Sequence, residues 1–286
     1  MNCPICRENN FSTRYKLPGY RVGRCVKCGL MFNPDFGRGE KDGAAVFSES
    51  YYKEVQKEAF DHSLRTDVAD ASEGIYRKGL SVVESQMGKG LLLDVGCAFG
   101  AFMEIAKKRG WQVKGLEISP FSSQFAREKR NLDVITGALP EAEMEPGQFD
   151  LVTFWDVLEH VRDVSGNIKK AASLLKPGGF LIITTDNYKS LLSFLAGAAF
   201  RLSGGLVNYP VQKFFIPFNS CYFVPRDVRE VLVNSGFEEI FFALIDYPFG
   251  KIKLNPVERL LLKALYAVGN VLRINSQFMI IARRKD

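Results

Sequence analysis

The sequence predicts an α/β protein, a doubly wound and mostly parallel sheet with a small cysteine-rich module ahead of it. Three observations carry this. From residue 90 onward, short apolar runs alternate with amphipathic helical stretches, the pattern of an open parallel sheet. A glycine turn joins the first of those runs to a helix. Four of the six cysteines fall within the first 28 residues as two C-x2-C pairs.

The module comes first. Cys3-Pro4-Ile5-Cys6 and Cys25-Val26-Lys27-Cys28 can each hold two thiolates on one side of a tight turn. Two such turns complete a tetrahedral all-thiolate site, which suits zinc. Gly29 follows the second pair as a knuckle glycine, and Arg7 stands at the matching place after the first. Four cysteines leave no open position for substrate, so the expected role over residues 1–40 is structural. A redox pair or two disulfides are the alternatives, and both suit a cytosolic chain poorly.

Residues 41–88 read as a polar, helical cap or linker, with one helix opening at Phe47–Tyr52 and another over Gly74–Met87. His62 lies in this lead. The α/β domain is expected over residues 89–286. Its first strand is Leu91 to Gly96, apolar apart from Asp94, as a doubly covered strand should be. A helix follows through Arg109, then a strand over Trp111–Glu117. Ser119 as N-cap and Pro120 at the first helical position start the next helix. Asp133–Thr136 and Phe149–Trp155 are the third and fourth strands, and a helix runs from about Asp163 to Leu175. Lys176-Pro177-Gly178-Gly179 is a turn before a fifth strand at Phe180–Thr185. Residues 188–222 read as a lid or acceptor insertion. Phe237–Ile245 and Gln277–Ala282 are late strands.

The chain carries 38 basic and 32 acidic residues, a net charge of +6, with some of the excess at Arg283, Arg284 and Lys285. This balance suits an anionic ligand, a membrane surface or nucleic acid without choosing among them. Met1-Asn2-Cys3-Pro4 is not a secretory signal, and no apolar run reaches the ~18 residues of a membrane span. The expected location is the cytoplasm.

In an open parallel sheet the ligand sits at the carboxyl ends of the strands. There the sequence puts Asp94, the turn Gly96-Cys97-Ala98-Phe99-Gly100 and, at the end of the second strand, Glu117. An acidic residue at that place can accept hydrogen bonds from ribose hydroxyls, so a nucleoside-containing cofactor is implied. A dinucleotide would ask for G-x-G-x-x-G, and its pyrophosphate would be repelled by Asp94. A cationic sulfonium with an amino-acid tail welcomes carboxylates. Ordinary surface carboxylates are the competing reading for both acids.

These residues resemble class I S-adenosylmethionine-dependent methyltransferases. Leu93-Asp94-Val95-Gly96-Cys97-Ala98-Phe99-Gly100 looks like the family's D-x-G-x-G-x-G motif, with Ala98 in place of the middle glycine. Glu117 matches the ribose-binding acid. Phe149 through Val161 resembles the fourth-strand motif, and Leu174-Leu175-Lys176-Pro177-Gly178-Gly179 the turn before the fifth strand. The resemblance covers roughly residues 85–245. It implies a Rossmann-like seven-stranded sheet with a late antiparallel hairpin, and S-adenosylmethionine as cofactor, contacted at Asp94, Gly96, Cys97, Gly100, Glu117, Ile118 and Leu139. Trp155, at the carboxyl end of the fourth strand, is a further candidate to touch cofactor or acceptor, with plain core as the competing reading. A knuckle ahead of the domain, with Tyr222-Phe223-Val224-Pro225 and Ser235-Gly236-Phe237, is similar to nucleotide-sugar and polysaccharide-pathway methyltransferases. That group carries a histidine shortly before the Y-F-x-P element, where Phe218-Asn219-Ser220 stands here, which weighs against sugar C-methylation.

Asp156, Glu159 and His160 follow the fourth strand and are the catalytic candidates. His160 can take a proton from an acceptor hydroxyl. The run also resembles the E-x-x-E-H run of ubiquinone-pathway O-methyltransferases, which can hold a divalent metal. In the third reading Glu159 and His160 only cap the next helix. The apolar stretches Leu191–Val207 and Leu260–Leu272 read either as a lid and a core helix or as an amphipathic surface for a membrane or a lipid-linked acceptor. The expected activity is methylation, at oxygen, of a small or sugar-like acceptor that can be lipid-linked. Methylation of ribosomal or transfer RNA is the alternative, against which no N-P-P-Y element follows the fourth strand and no dense basic and aromatic surface marks the knuckle. A catalytically silent, cofactor-binding adapter is the third.

Overall fold

The computed structural model describes residues 1–37, 72–248 and 255–285. The helix expected at Phe47–Tyr52, His62 and most of the 41–88 lead lie outside the described residues.

The domain is built on seven strands. β4 (Leu91–Val95), β5 (Gln112–Glu117), β6 (Val134–Thr136), β7 (Phe149–Trp155) and β8 (Leu175–Asp186) are parallel, and β11 (Gln277–Arg284) runs antiparallel between β8 and β10 (Phe237–Ile245). The order is β10-β11-β8-β7-β4-β5-β6. The chain therefore reverses its direction of winding beside β4, and a crevice opens there at the strand ends. Asp94 is in register with Gly115 on one side and Thr153 on the other.

The two-residue period of the strands divides the core into two layers. On one face Val152, Phe154, Leu181 and Ile183 pack under α4 (Val164–Leu174) and α7 (Pro225–Asn234). On the other, Leu92, Leu151 and Ile182 pack under α1 (Glu73–Glu84) and α2 (Ala101–Lys108). Both faces are covered, which is why these strands are nearly continuous apolar runs. Between β5 and β6 lies α3 (Pro120–Arg130), with Ser119 as its N-cap and Pro120 at its start. Lys176–Gly179, expected as a turn, is an excursion inside β8. Leu175 already pairs with Phe149, and pairing resumes at Phe180 with Leu151.

The cysteine module holds more structure than two turns. β1 (Phe11–Leu17) and β2 (Tyr20–Cys25) form a hairpin closed by Pro18-Gly19, with Gly19 at φ +81° as the third position of such a turn requires. β3 (Met31–Phe32) extends it, and the fourth strand, β9 (Cys221–Tyr222), comes from far along the chain. Cys3, Cys25, Leu30 and Phe32 share one core with Val152, Phe154 and Val228. The module is thus packed on the α/β layer.

The apolar stretch at Leu191 becomes α5 (Leu191–Leu202), followed by α6 (Tyr209–Phe214). The second stretch lies in α8 (Pro256–Leu272), capped by a reciprocal Asn255–Glu258 box. The reading of α8 as a core helix is corrected. Only Tyr266 and Gly269 are fully buried and Leu262 and Leu265 partly so, while Val257, Leu260, Leu261, Val268, Val271 and Leu272 stand exposed.

Candidate active site and cysteine centre

The first half of the site is at the ends of β4 and β5. Asp94 and Glu117 are buried, at 2% and 5% exposure. The Thr153 hydroxyl donates to Asp94 Oδ1 at 2.7 Å. Burial pushes the Asp94 carboxyl up to about 8, against the Thr153 hydrogen bond and helped by the charge of Glu117. Burial also raises Glu117, against hydrogen bonds from the N–H groups of Ser119 and Ala98, each 2.8 Å from a carboxylate oxygen. Neither acid forms an ion pair among the described residues. Two neighbouring carboxylates held out of water without a cation make a site complementary to a cationic ligand.

The turn between them is shaped by backbone. Gly96 has φ +70° and donates its N–H to the Leu116 carbonyl at 2.7 Å; a Cβ there would lie 2.6 Å from a Val157 methyl carbon. At Gly100 a Cβ would lie 2.3 Å from Leu132 Cδ1. Ala98, where a glycine was expected, takes the left-handed conformation at φ +47°. Its N–H is the one that reaches Glu117, so the turn keeps its shape at the cost of local strain.

The remaining cofactor candidates divide. Ile118 is partly buried at the end of β5. Leu139 is buried in a 3₁₀ turn, Leu139–Glu141, just after β6. Cys97 turns its thiol into a small core with Met103, Leu132 and Val134, leaving only its backbone in the turn. Trp155 leans toward the α1–α2 layer, 4.8 Å from the Tyr76 ring and 4.9 Å from that of Phe102, with its indole N–H buried and without a hydrogen-bond partner among the described residues.

The second half lies beyond β7 and β8. Asp156 is left-handed at φ +56°, a conformation aspartate tolerates better than most residues. Its Oδ1 accepts from the Thr184 hydroxyl at 3.1 Å and from Gln277 Nε2 at 3.2 Å, and the same amide nitrogen donates to Asp186. Glu159 is buried and accepts from the Thr185 hydroxyl at 2.9 Å; burial, with the charges of Asp156 and Asp186, holds it well above the ordinary carboxylate range. His160 Nδ1 lies 3.1 Å from the Phe218 carbonyl oxygen. A carbonyl only accepts, so Nδ1 carries the hydrogen and the neutral ring keeps its lone pair on Nε2. Burial pushes the imidazole below its ordinary value, opposed by that carbonyl and by Asp156.

Asp156, Glu159 and His160 thus point to different partners. Among the described residues, the one set of three or more ligand atoms within 4.8 Å of each other is the four cysteines. The D-x-x-E-H run does not assemble as a metal site there.

Sequence reasoning missed four residues of this half: Thr184, Thr185, Tyr188 and Gln277. The signal available was a polar ending, Thr184-Thr185-Asp186-Asn187-Tyr188, on an otherwise apolar strand. Where a histidine was expected, Asn219 is buried with Nδ2 donating to the Tyr188 hydroxyl at 2.8 Å, and the Ser220 N–H donates to the Glu159 carbonyl at 2.7 Å.

The cysteine centre has internal twofold likeness. Arg7 N–H donates to the Cys3 carbonyl and Gly29 N–H to that of Cys25, both at 3.1 Å. Cys3 N–H donates to Glu8 and Cys25 N–H to Leu30, both at 2.9 Å. Arg7 and Gly29 are both left-handed, at φ +62° and +79°, so the arginine does the work of a glycine. The sulfurs of Cys3 and Cys28, and of Cys6 and Cys25, lie 3.5 Å apart, and none is in a disulfide. Tetrahedral zinc at ~2.3 Å from each sulfur would separate them by about 3.8 Å, so the thiols fit that ion.

A family profile described as "Methyltransferase domain" matches residues 69–240. A ubiquinone biosynthesis O-methyltransferase of Azoarcus sp. is 34% identical over 204 residues, covering 68% of this chain and 77% of that protein. The enzyme of the same name from Bordetella bronchiseptica is 36% identical over 119 residues, 39% of this chain. The chain spans about half the length of that relative, 49%. Among solved structures, phosphoethanolamine N-methyltransferase 2 of Haemonchus contortus, in complex with S-adenosyl-L-methionine, superposes with a TM-score of 0.62 at 16% identity, over 90% of this chain and 62% of that one, a likeness of fold. With its glycine turn and paired carboxylates at the switch of a seven-stranded sheet, the chain belongs to the methyltransferase-domain family.

Proposed function

We propose that this chain is an S-adenosylmethionine-dependent methyltransferase that acts on a hydroxyl of a small or sugar-like, lipid-linked acceptor. The observation that carries the reading is the pair Asp94 and Glu117, buried beside a glycine turn and short of positive charge. Glu117 would hold the ribose hydroxyls and Asp94 the cationic part, with Ile118, Leu139 and Trp155 as candidates around the adenosine and the backbone of Gly96, Cys97 and Gly100 in the turn. The cofactor supplies an electrophilic methyl group. On the acceptor side, His160 is the residue suited to take the hydroxyl proton at Nε2, because Nδ1 is committed to Phe218 and the ring is neutral near pH 7. Asp156 would hold the acceptor or orient His160, and Glu159 would fix the 3₁₀ turn Leu158–His160 that carries it. The relatives' printed activity, O-methylation, supports oxygen as the methylated atom.

The four cysteines would hold one zinc ion in a structural role. No helix of the described residues is long and apolar enough to cross a membrane. A cytoplasmic site of action is proposed with the zinc, since such thiols persist in a reducing compartment.

The test offers methyl-labelled S-adenosylmethionine with phenolic and sugar acceptors. Label should appear on acceptor oxygen, and His160→Ala should lower turnover by roughly 10²–10⁴ with cofactor affinity nearly intact. Tight cofactor binding without transfer to any acceptor would favour a silent adapter, and label on carbon would remove the oxygen assignment.

A further inference from the structure

Two helix faces direct apolar side chains away from the protein. On α8, Val257, Leu260, Leu261, Val268, Val271 and Leu272 are all exposed, Leu260 at 71% and Val271 at 82%. Their spacing of three and four residues makes one stripe. A surface helix ordinarily turns such a stripe inward, and this one turns it out. α5 packs against α8, and the Leu191 N–H, at its start, donates to the Ile274 carbonyl just past the end of α8 at 3.0 Å. Phe194, Leu195 and Leu202 of α5 are exposed as well, Leu202 at 90%. Exposed apolar side chains in such number, on two adjoining helices, mark an interaction surface.

Charge selects the occupant. Residues 187–225 contain no Asp or Glu, but do contain Lys189, Arg201 and Lys213. α8 and the residue after it carry Arg259, Lys263 and Arg273 against Glu258 alone, and Glu258 is engaged in the cap. An apolar stripe flanked by exposed cations is the arrangement that lies in the headgroup layer of an anionic bilayer. The segment that leaves α8 leads to the acceptor half of the site, because Gln277, which begins β11, donates to both Asp156 and Asp186.

We propose that the α5–α8 face docks on an anionic phospholipid surface. The docking stands on the exposed face itself; only its link to a lipid-borne acceptor rests on the proposed reaction.

Flotation with phosphatidylcholine vesicles, with and without phosphatidylglycerol, tests it without any methyl transfer. The full chain should float with the anionic vesicles and be released by salt. The double variant Leu260→Gln/Leu261→Gln should weaken this by roughly tenfold or more. Both leucines are exposed, so its thermal transition and its calorimetric affinity for S-adenosylhomocysteine should match the parent. Absence of flotation, equal binding to neutral vesicles, or unchanged binding by the variant would overturn the proposal. So would concentration-dependent dimerisation in sedimentation that the same substitutions abolish, which would assign the face to a second copy of the chain.

Discussion

His160 and Ala98 each carry a local cost, one of burial and one of backbone conformation. Burial lowers the His160 pKa below its ordinary 6.5, so in the folded state the ring stays neutral where an unfolded histidine would begin to bind protons. Its contribution to stability is therefore complete above that value and declines as pH falls. On the proposed role of His160 as proton acceptor, the same shift would put the acid limb of turnover below pH 6.5, where the ring protonates and loses its Nε2 lone pair. A pH–rate profile should show that limb in the parent and lose it in His160→Ala. A limb that persists in the variant would assign it to another group. At Ala98 the left-handed backbone costs roughly 1–2 kcal/mol. Ala98→Gly relieves this strain but loosens the unfolded chain, so the two nearly offset, and denaturant melts should differ by less than about 1 kcal/mol. Gly100→Ala meets Leu132 in a well-packed layer and should destabilise by about 1–3 kcal/mol. A neutral Gly100→Ala would show that the turn is looser than its geometry.

At the scale of elements, the cysteine module is a strut for the Glu159–His160 segment. Cys25 ends β2, β2 pairs with β3, and β3 pairs with β9 through Met31–Tyr222 and Phe32–Cys221. The Asn33 N–H continues the line to the Ser220 carbonyl at 2.9 Å, and Ser220 and Phe218 hold Glu159 and His160. Loss of the proposed zinc, by chelation or Cys25→Ser, should raise amide exchange across residues 215–223 and shift the His160 resonance, with cofactor affinity changed less than twofold or so. Exchange unchanged in 215–223 would cut this connection. Little of it was legible in the sequence. The strand Phe149–Trp155 was, because burial on both faces writes a largely apolar run, and the start of α3 was, because Ser119 and Pro120 are local signals. β9 is two residues long and owes its existence to a partner about 190 positions earlier, which no local pattern encodes. β1 was hidden because most of Phe11–Leu17 faces solvent, with only Tyr15 and Leu17 buried. In the same way Gln277 could be read as a strand residue but not as the donor to Asp156, since that contact crosses the sheet.

The whole molecule is a sheet whose switch point holds two buried carboxyl groups with no cation beside them among the described residues. An Asp94 carboxyl raised to about 8 in the fold, from an ordinary 3.8, means that the folded state binds the proton more tightly than the unfolded one. Stability from this group is present at low pH and declines as pH rises through that window. A cationic cofactor reverses the balance by favouring the ionised form. Binding at pH 6–7 should therefore release protons, visible as a dependence of the calorimetric enthalpy on the buffer's ionisation enthalpy, and the thermal shift on binding should grow with pH. A buffer-independent enthalpy would mean that Asp94 is already ionised in the free protein. The most direct measurement of the central claim, that Asp94, the glycine turn and Glu117 form the cofactor site, is calorimetric titration of S-adenosylmethionine into the parent and into Glu117→Ala. The expected result is one site per chain, weakened by roughly 1–3 kcal/mol in the variant through lost ribose hydrogen bonds. Equal affinity in the two proteins, or no binding to the parent, would contradict it.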